Sequence, residues 1–381
     1  MGTRPDTTRP DRTPRRSSTL VRMGGVASCL VLAAPALMLM GCAGQPEAAA
    51  PSGAKPSAAA TAAGEPAATG QPPRVDRVQA SRIREQAIEI LEQSAQSSDP
   101  QVRANGIEAA MIAPTRLVIL VETGLRDPNP GVRNVAAMVV GKAKLANLAE
   151  KCRPMLADPV PQVRASAILA LAVNKRAVDR TPLAEMLLND PSPWARRHAA
   201  FVLGEIGDKS AMSLLRAAAH EGDSDLGAEQ VRSYQLQIAE ALIKLGDDDA
   251  RQAVRAALYP SRAEDLESAA LAVQIIGQVK DREAIDQLVY LSQYKNREGQ
   301  MYPAEVRLGI AQALSGMGIK GGAYIADEFK ANPSPALRAQ AAFVYGFVGK
   351  SQLATLEAMM ADPDPTVRIA AAASVLRVDP R

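Results

Sequence analysis

The chain has 381 residues, of which 47% are apolar and only 3% aromatic. Alanine, leucine and valine carry much of that apolar content, which suits helix packed on helix and disfavours a sandwich of β-branched and aromatic strands. The formal charge is +3, but six of the 44 basic and two of the 41 acidic residues lie in the first 41 positions. The remaining body has 38 basic and 39 acidic residues, a net charge of −1, which excludes a basic nucleic-acid-binding surface.

Residues 1–41 read as an export leader. Arginines crowd residues 1–22, an uncharged apolar run fills 24–40, and Leu39-Met40-Gly41 precedes Cys42. This ending resembles a bacterial lipobox. The resemblance implies cleavage before Cys42, lipidation of that cysteine and attachment of the mature chain to a membrane of the cell envelope. A diacylglyceryl group anchors stably where one acyl chain does not. Residues 42–75 follow as an alanine-, proline- and glycine-rich stretch with almost no large apolar residue. Such a composition cannot bury enough surface to offset ordering entropy, and the stretch is read as a disordered tether.

Residues 76–381 repeat a phrase, Asp-Pro-x-Pro-x-Val-Arg, in full at Asp127–Arg133 and Asp158–Arg164. Variants occur at Asp190–Arg196, Asn332–Arg338 and Asp362–Arg368, with a shorter form at Asp99–Arg103. Following the small-residue pair, the apolar run and the closing glycine places nine units. Their arginine slots are 103, 133, 164, 196, 235, 269, 307, 338 and 368, with Gln235 and Ala269 as the exceptions. Each unit reads as two helices. Proline opens the second helix, where its missing N–H costs nothing, and the residue before it can accept free N–H groups. In the fourth unit Ala199, Ala200, Leu203 and Ile206 recur at helical spacing. Gly207 closes that helix and Asp208 caps the next one.

A period of this length stacks helix pairs into a solenoid. The phrases resemble short HEAT repeats of the bacterial, phycobilisome-lyase-like kind, over about residues 76–381. The expected fold is therefore all-α, a right-handed α-solenoid of about nine two-helix HEAT-type repeats after a disordered N-terminal segment. The resemblance further implies a structural ladder in which the phrase's aspartate and arginine bond within and between units. Its members are Asp99, Arg103, Asp127, Arg133, Asp158, Arg164, Asp190, Arg196, Arg307, Arg338, Asp362 and Arg368. It should be thin at the fifth and sixth units.

Against that grammar a few residues stand out. Trp194 is the only tryptophan, and Arg197 and His198 follow the slot at positions that vary among units. Such variation fits a solvent-facing stretch, which makes His198 a surface residue, and Trp194, Arg197 and His198 are candidate partner contacts, since tryptophan and arginine are enriched where partners bind. The steps from slot 196 to 235 and from 269 to 307 are lengthened, and Tyr234, Tyr294 and Tyr302 fall in or beside these insertions. They are read either as core fillers or as a rim that grips a partner. Glu221, Asp223 and Asp225 do not complete a calcium loop.

No metal or cofactor site is expected. Cys29, Cys42 and Cys152 form no Cys-x-x-Cys spacing and no disulfide framework. The repeat's enzymatic relatives are tested by their ligands: deoxyhypusine hydroxylases hold iron through several His-Glu pairs, whereas this chain has only His198 and His220. The reading is a membrane-anchored, monomeric lipoprotein that binds a protein partner along an extended concave surface, without nucleic acid. The alternative is an enzyme or lyase-like enzyme subunit with a site in the insertion loops around residues 220–234 and 294–303.

Overall fold

The computed structural model describes residues 75–220, 227–259, 266–297 and 299–379. The leader, Cys42 with its lipidation, the tether through residue 74, and Glu221, Asp223 and Asp225 lie outside the described residues. The described residues form an all-α solenoid of nine units, eight of them α-helix pairs. In chain order the helices are α1 Arg77–Ser94, α2 Pro100–Ala109, α3 Pro114–Gly124, α4 Pro130–Lys142, α5 Pro161–Val173 and α6 Thr181–Asn189. They continue as α7 Pro193–Ile206, α8 Met212–His220, α9 Ala228–Leu245, α10 Ala250–Ala256, α11 Leu266–Gln278 and α12 Ile285–Gln293. The last are α13 Ala304–Gly316, α14 Gly322–Phe329, α15 Pro335–Val348, α16 Leu353–Met359 and α17 Pro365–Val378. In the third unit a 3-10 segment, Ala149–Ala157 with Pro154 inside it, takes the place of the first helix.

The repeated phrase builds one turn. Its aspartate carboxylate accepts the N–H two residues on, as Asp127 does from Asn129 at 2.8 Å and Asp362 from Asp364 at 2.9 Å. Asn129 and Asp364 then cap the second helix through Gly131 and Thr366. The slot arginine clamps the same turn from the other side. Arg133 Nη1 donates to the carbonyls of Asp127 and Pro128, at 2.9 and 3.1 Å. Its remaining nitrogens reach the next unit, where they meet Asp158. Arg103 does the same to Asp127, and Arg338 to Asp362. These forked, charge-assisted pairs are the between-unit rungs.

The rungs change where the sequence changes. In the eighth unit Asn332 has no carboxylate to offer, and Arg307 instead forks onto Glu328 of α14 at 2.8 and 2.9 Å. Arg164 bonds its own turn, through the carbonyls of Asp158 and Pro159. Where the slots hold Gln235 and Ala269, arginines of the first helices act. Arg216 reaches Asp247 at 2.8 Å and Arg255 reaches Asp281 at 2.6 Å.

Second helices pack on one another through small residues. A Cβ placed on Gly204 would lie 2.7 Å from the Ala241 backbone of the next unit, and one on Gly346 would lie 2.7 Å from Ser374 Cβ. Glycine at this position lets neighbouring helices approach to near contact. Gly207 closes α7 with a φ of 75°, and Asp208 accepts from the Ser210 N–H.

The array does not end in two free faces. α1 of the first unit packs against α17 of the ninth, and α17 also meets α2, as successive units do elsewhere. One continuous apolar core joins Ile83, Ala87 and Leu91 to Leu356, Ile369 and Leu376 across this seam. Gln79 and Arg82 donate to Glu357 at its edge. The nine second helices thus form a closed inner ring where an extended surface was expected. Nine helices at about 9 Å spacing place their axes about 13 Å from the ring centre, so side chains of alternate units can meet inside.

Candidate functional site

Residues two before each slot, and two, five and nine after it, share one face of the second helix. On this face Lys142 of the second unit pairs with Glu205 of the fourth at 3.5 Å, passing over the third unit. A contact that skips a unit requires a concave face. Lys244 joins Glu205 at 2.6 Å and also bonds Glu240, which accepts from Gln237. Both ammonium groups also approach the Phe201 ring, Lys142 Nζ at 5.2 Å and Lys244 Nζ at 5.0 Å from its centroid. Burial raises the Glu205 carboxyl, but the two lysines outweigh it and hold the group below its ordinary range. Glu108 has only the field of Lys142 against its burial, and its carboxyl is held well above the ordinary range.

His198 belongs to this inner face, and the expectation of a surface histidine is corrected. Its Nε2 lies 2.9 Å from Ser166 Oγ, which in turn donates to Asn134 at 2.7 Å. Its ring stacks near Phe201, with centroids 6.1 Å apart. Burial pushes its pKa down to about 4, so it is neutral near pH 7. The positions after the slot vary because ring curvature gives each unit a different inner neighbour. Tyr234 is also internal: it is buried, and its hydroxyl donates to the Leu187 carbonyl at 2.9 Å, tying α9 to α6. It is a core filler, which was one of its two readings.

Trp194 stands on the rim, 56% exposed. The Arg197 guanidinium lies 5.0 Å from the indole and covers one of its faces. Burial lowers the Arg197 pKa, opposed by the fields of Glu267 and Glu240. Glu229 and Glu267, in the first turns of α9 and α11, form a carboxyl pair at the same end of the inner helices. Burial first, and then the hydrogen bond between the two groups, raises the Glu267 carboxyl. Sequence reasoning passed over this pair, although Glu267 occupies the unit position of Trp194.

A second exposed group lies on the outside of the ring. Tyr290 lies in the last turn of α12 and Tyr294 just past its end, with ring centroids 5.6 Å apart, and the Tyr302 ring is 6.0 Å from that of Tyr294. The insertion brings Tyr302 back through a tight turn in which Lys295 bridges Met301 and Asn296 accepts from Gln300. Sequence reasoning named Tyr294 and Tyr302 but missed Tyr290, whose signal was its spacing of four from Tyr294. Cys152 is buried, and its thiol is pushed up to about 12, which leaves it unreactive. Among the described residues no group of three or more His, Cys, Asp or Glu is placed to hold a metal ion.

The family described as HEAT repeats matches residues 180–271. No curated protein matches the chain in sequence. Among solved structures, human deoxyhypusine hydroxylase in complex with glycerol is 15% identical over 70% of this chain and 97% of its own, with a TM-score of 0.35. The phycocyanin lyase complex from Nostoc is 18% identical over 66% of this chain and 91% of its own, with a TM-score of 0.36. An engineered protein is 16% identical over 82% and 96%, with a TM-score of 0.30. The described residues form an all-α solenoid, and the match to HEAT repeats falls on its fourth, fifth and opening sixth units.

Proposed function

We propose that the chain is a lipoprotein of the bacterial cell envelope, anchored through lipidated Cys42, whose ring is a scaffold for a protein partner. The leader pattern and the lipobox-like Leu39–Cys42 support the anchor. Among the described residues no helix is long and apolar enough to cross a membrane. The observation that carries the binding reading is Trp194. It is a large indole, mostly exposed, with the Arg197 guanidinium over one face, at a position the repeat does not need filled. Rigid tryptophan and arginine side chains are where binding energy concentrates.

Two measurements test this. A Cys42→Ser chain should lose lipid labelling and leave the membrane fraction; a variant that stays membrane-bound would overturn the anchor. Cross-linking in envelope extracts should join a defined partner to the wild-type rim and lose it in Trp194→Ala. Equal recovery with the variant, or with residues 42–74 alone, would overturn the scaffold reading.

The carboxyl pair Glu229–Glu267 beside Arg197 favours a second reading, an enzyme or lyase-like enzyme subunit with its site at this insertion. A carboxyl held above its ordinary range next to a guanidinium is suited to acid–base work. A turnover that survives Glu229→Gln and Glu267→Gln together would sink it.

A further inference from the structure

The second to eighth units end their second helices on one kind of backbone turn. Eleven places after the slot stand Lys144, Lys175, Gly207, Gly246, Lys280, Gly318 and Gly349, and all have positive φ, from 51° at Lys280 to 112° at Gly349. Glycine takes such a φ freely, whereas a residue with a Cβ is strained there. The second, third and sixth units nevertheless place lysine at this turn. Nothing in the fold holds these side chains. Lys144, Lys175 and Lys280 are exposed, and among the described residues their ammonium groups make no hydrogen bond or ion pair.

These turns share one face of the ring, because the second helices all run the same way. First helices run back, so they begin on that face. α1 begins there too, with its Glu85 meeting Arg116 in the first turn of α3 at 3.1 Å. The chain from Cys42 therefore enters the body through the face that carries the lysines.

The charge of this face is not neutralised from within. Lys209 and Lys320 stand in the same turns, also exposed and without an ion pair. The carboxylates that follow the turn position are taken, Asp208 by Arg180, Asp247 by Arg216 and Asp281 by Arg255. Only Asp249 and Asp286 have no ion pair among the described carboxylates of these turns, against the five free lysines. Val78 in the first turn of α1 and Tyr324 in the first turn of α14 are exposed on the same side.

An anionic bilayer matches this chemistry. Cations within a Debye length of about 8 Å attract acidic headgroups, and tyrosine settles at headgroup level. We propose that the ring docks its lysine face on a bilayer containing anionic phospholipid, which turns the Trp194 rim away from the membrane. Docking rests on the anchor at Cys42 for proximity, and it is read separately from lipidation.

The test uses the full chain, purified in detergent and reconstituted with vesicles of phosphatidylcholine alone or of equal parts phosphatidylcholine and phosphatidylglycerol. An environment-sensitive fluorescent residue replaces Ala146, beside Lys144, or Ser98, on the opposite face. With the phosphatidylglycerol vesicles the label at Ala146 should shift to the blue, and salt near ~1 M should reverse the shift. Lys144→Gly, Lys175→Gly and Lys280→Gly together should weaken docking about a hundredfold. Because glycine suits each of these φ values, the same variant should melt no lower than wild type. No shift at Ala146 with the anionic vesicles, an equal shift with phosphatidylcholine, an equal shift at Ser98, or a shift that the glycine variant keeps would each overturn docking. Flotation with phosphatidylcholine vesicles reports the anchor alone. A chain that floats there but shows no shift with either vesicle keeps the anchor and loses the docking. A shift with anionic vesicles from a chain that does not float with phosphatidylcholine supports docking and overturns the anchor.

Discussion

Arg338 donates from Nε and Nη2 to both oxygens of Asp362 in the next unit, each at 2.8 Å, while its Nη1 holds the Asn332 and Pro333 carbonyls of its own turn. One guanidinium therefore closes one turn and opens the next. The Asp362 carboxyl is held below its ordinary range by the Arg338 hydrogen bonds. Lysine cannot form the fork, so Arg338→Lys should cost about 1–3 kcal/mol. Arg164, which bonds only its own turn's carbonyls, should lose less on the same change. Urea unfolding of the two variants side by side checks this, and equal losses would mean that the between-unit fork contributes nothing.

The contrast between those two arginines shows how far the sequence can be read. The phrase Asp-Pro-x-Pro-x-Val-Arg gave the turn, the cap and the helix start because each is local chemistry within seven residues. The forks from Arg216 to Asp247 and from Arg255 to Asp281 span 31 and 26 residues and carry no phrase, so the fifth and sixth units looked bare. Curvature was also invisible. It is a small angle per unit that only nine units together turn into a ring, and it is what moves His198 from an outer surface to an inner one. Of the rim, Trp194 and Arg197 were legible by their rarity and spacing. Glu229 and Glu267 come together across two units, and nothing local to either announces it.

His198 makes the ring acid-sensitive. Its folded pKa of about 4 lies below its unfolded value of about 6.5. The unfolded chain therefore binds the extra proton first as pH falls. The stability associated with the neutral ring is complete above pH ~6.5 and is lost progressively down to pH ~4, on the order of 3 kcal/mol. His198→Gln, which keeps a hydrogen-bonding group for Ser166, should flatten the stability profile in that window. Denaturant midpoints measured every half unit of pH would show it, and parallel profiles for both proteins would refute the assignment.

Glu108 acts with the opposite slope. It is buried, one carboxyl oxygen has no hydrogen-bond partner, and burial holds its pKa well above the ordinary range against Lys142. The folded state keeps a proton that the unfolded state releases. Its contribution is greatest below the unfolded pKa and declines as pH rises towards the folded value. Glu108→Gln removes the ionisable group with little change of shape, so it should stabilise the protein at pH 8 by about 1 kcal/mol or more and have little effect at pH 4. A variant less stable than wild type at pH 8 would show that the carboxylate is compensated in the folded ring.

The seam between α1 and α17 explains why neither terminal unit carries a polar cap. Solenoids with free ends need such caps for solubility. Here α17 buries Ile369, Ala372, Val375, Leu376 and Val378, and α1 supplies Ile83, Ala87 and Leu91 to the same core. Leu91→Ala leaves a cavity at this joint and should cost about 2–5 kcal/mol, as it would at any interior joint. Deleting residues 75–98 removes α1 and leaves the α17 face uncovered. The truncated chain should then associate through that face, while the intact chain stays monomeric. Light scattering on a sizing column separates the two outcomes. A truncated chain that remained a monomer with an unchanged melting temperature would mean that the seam does not hold the ring shut.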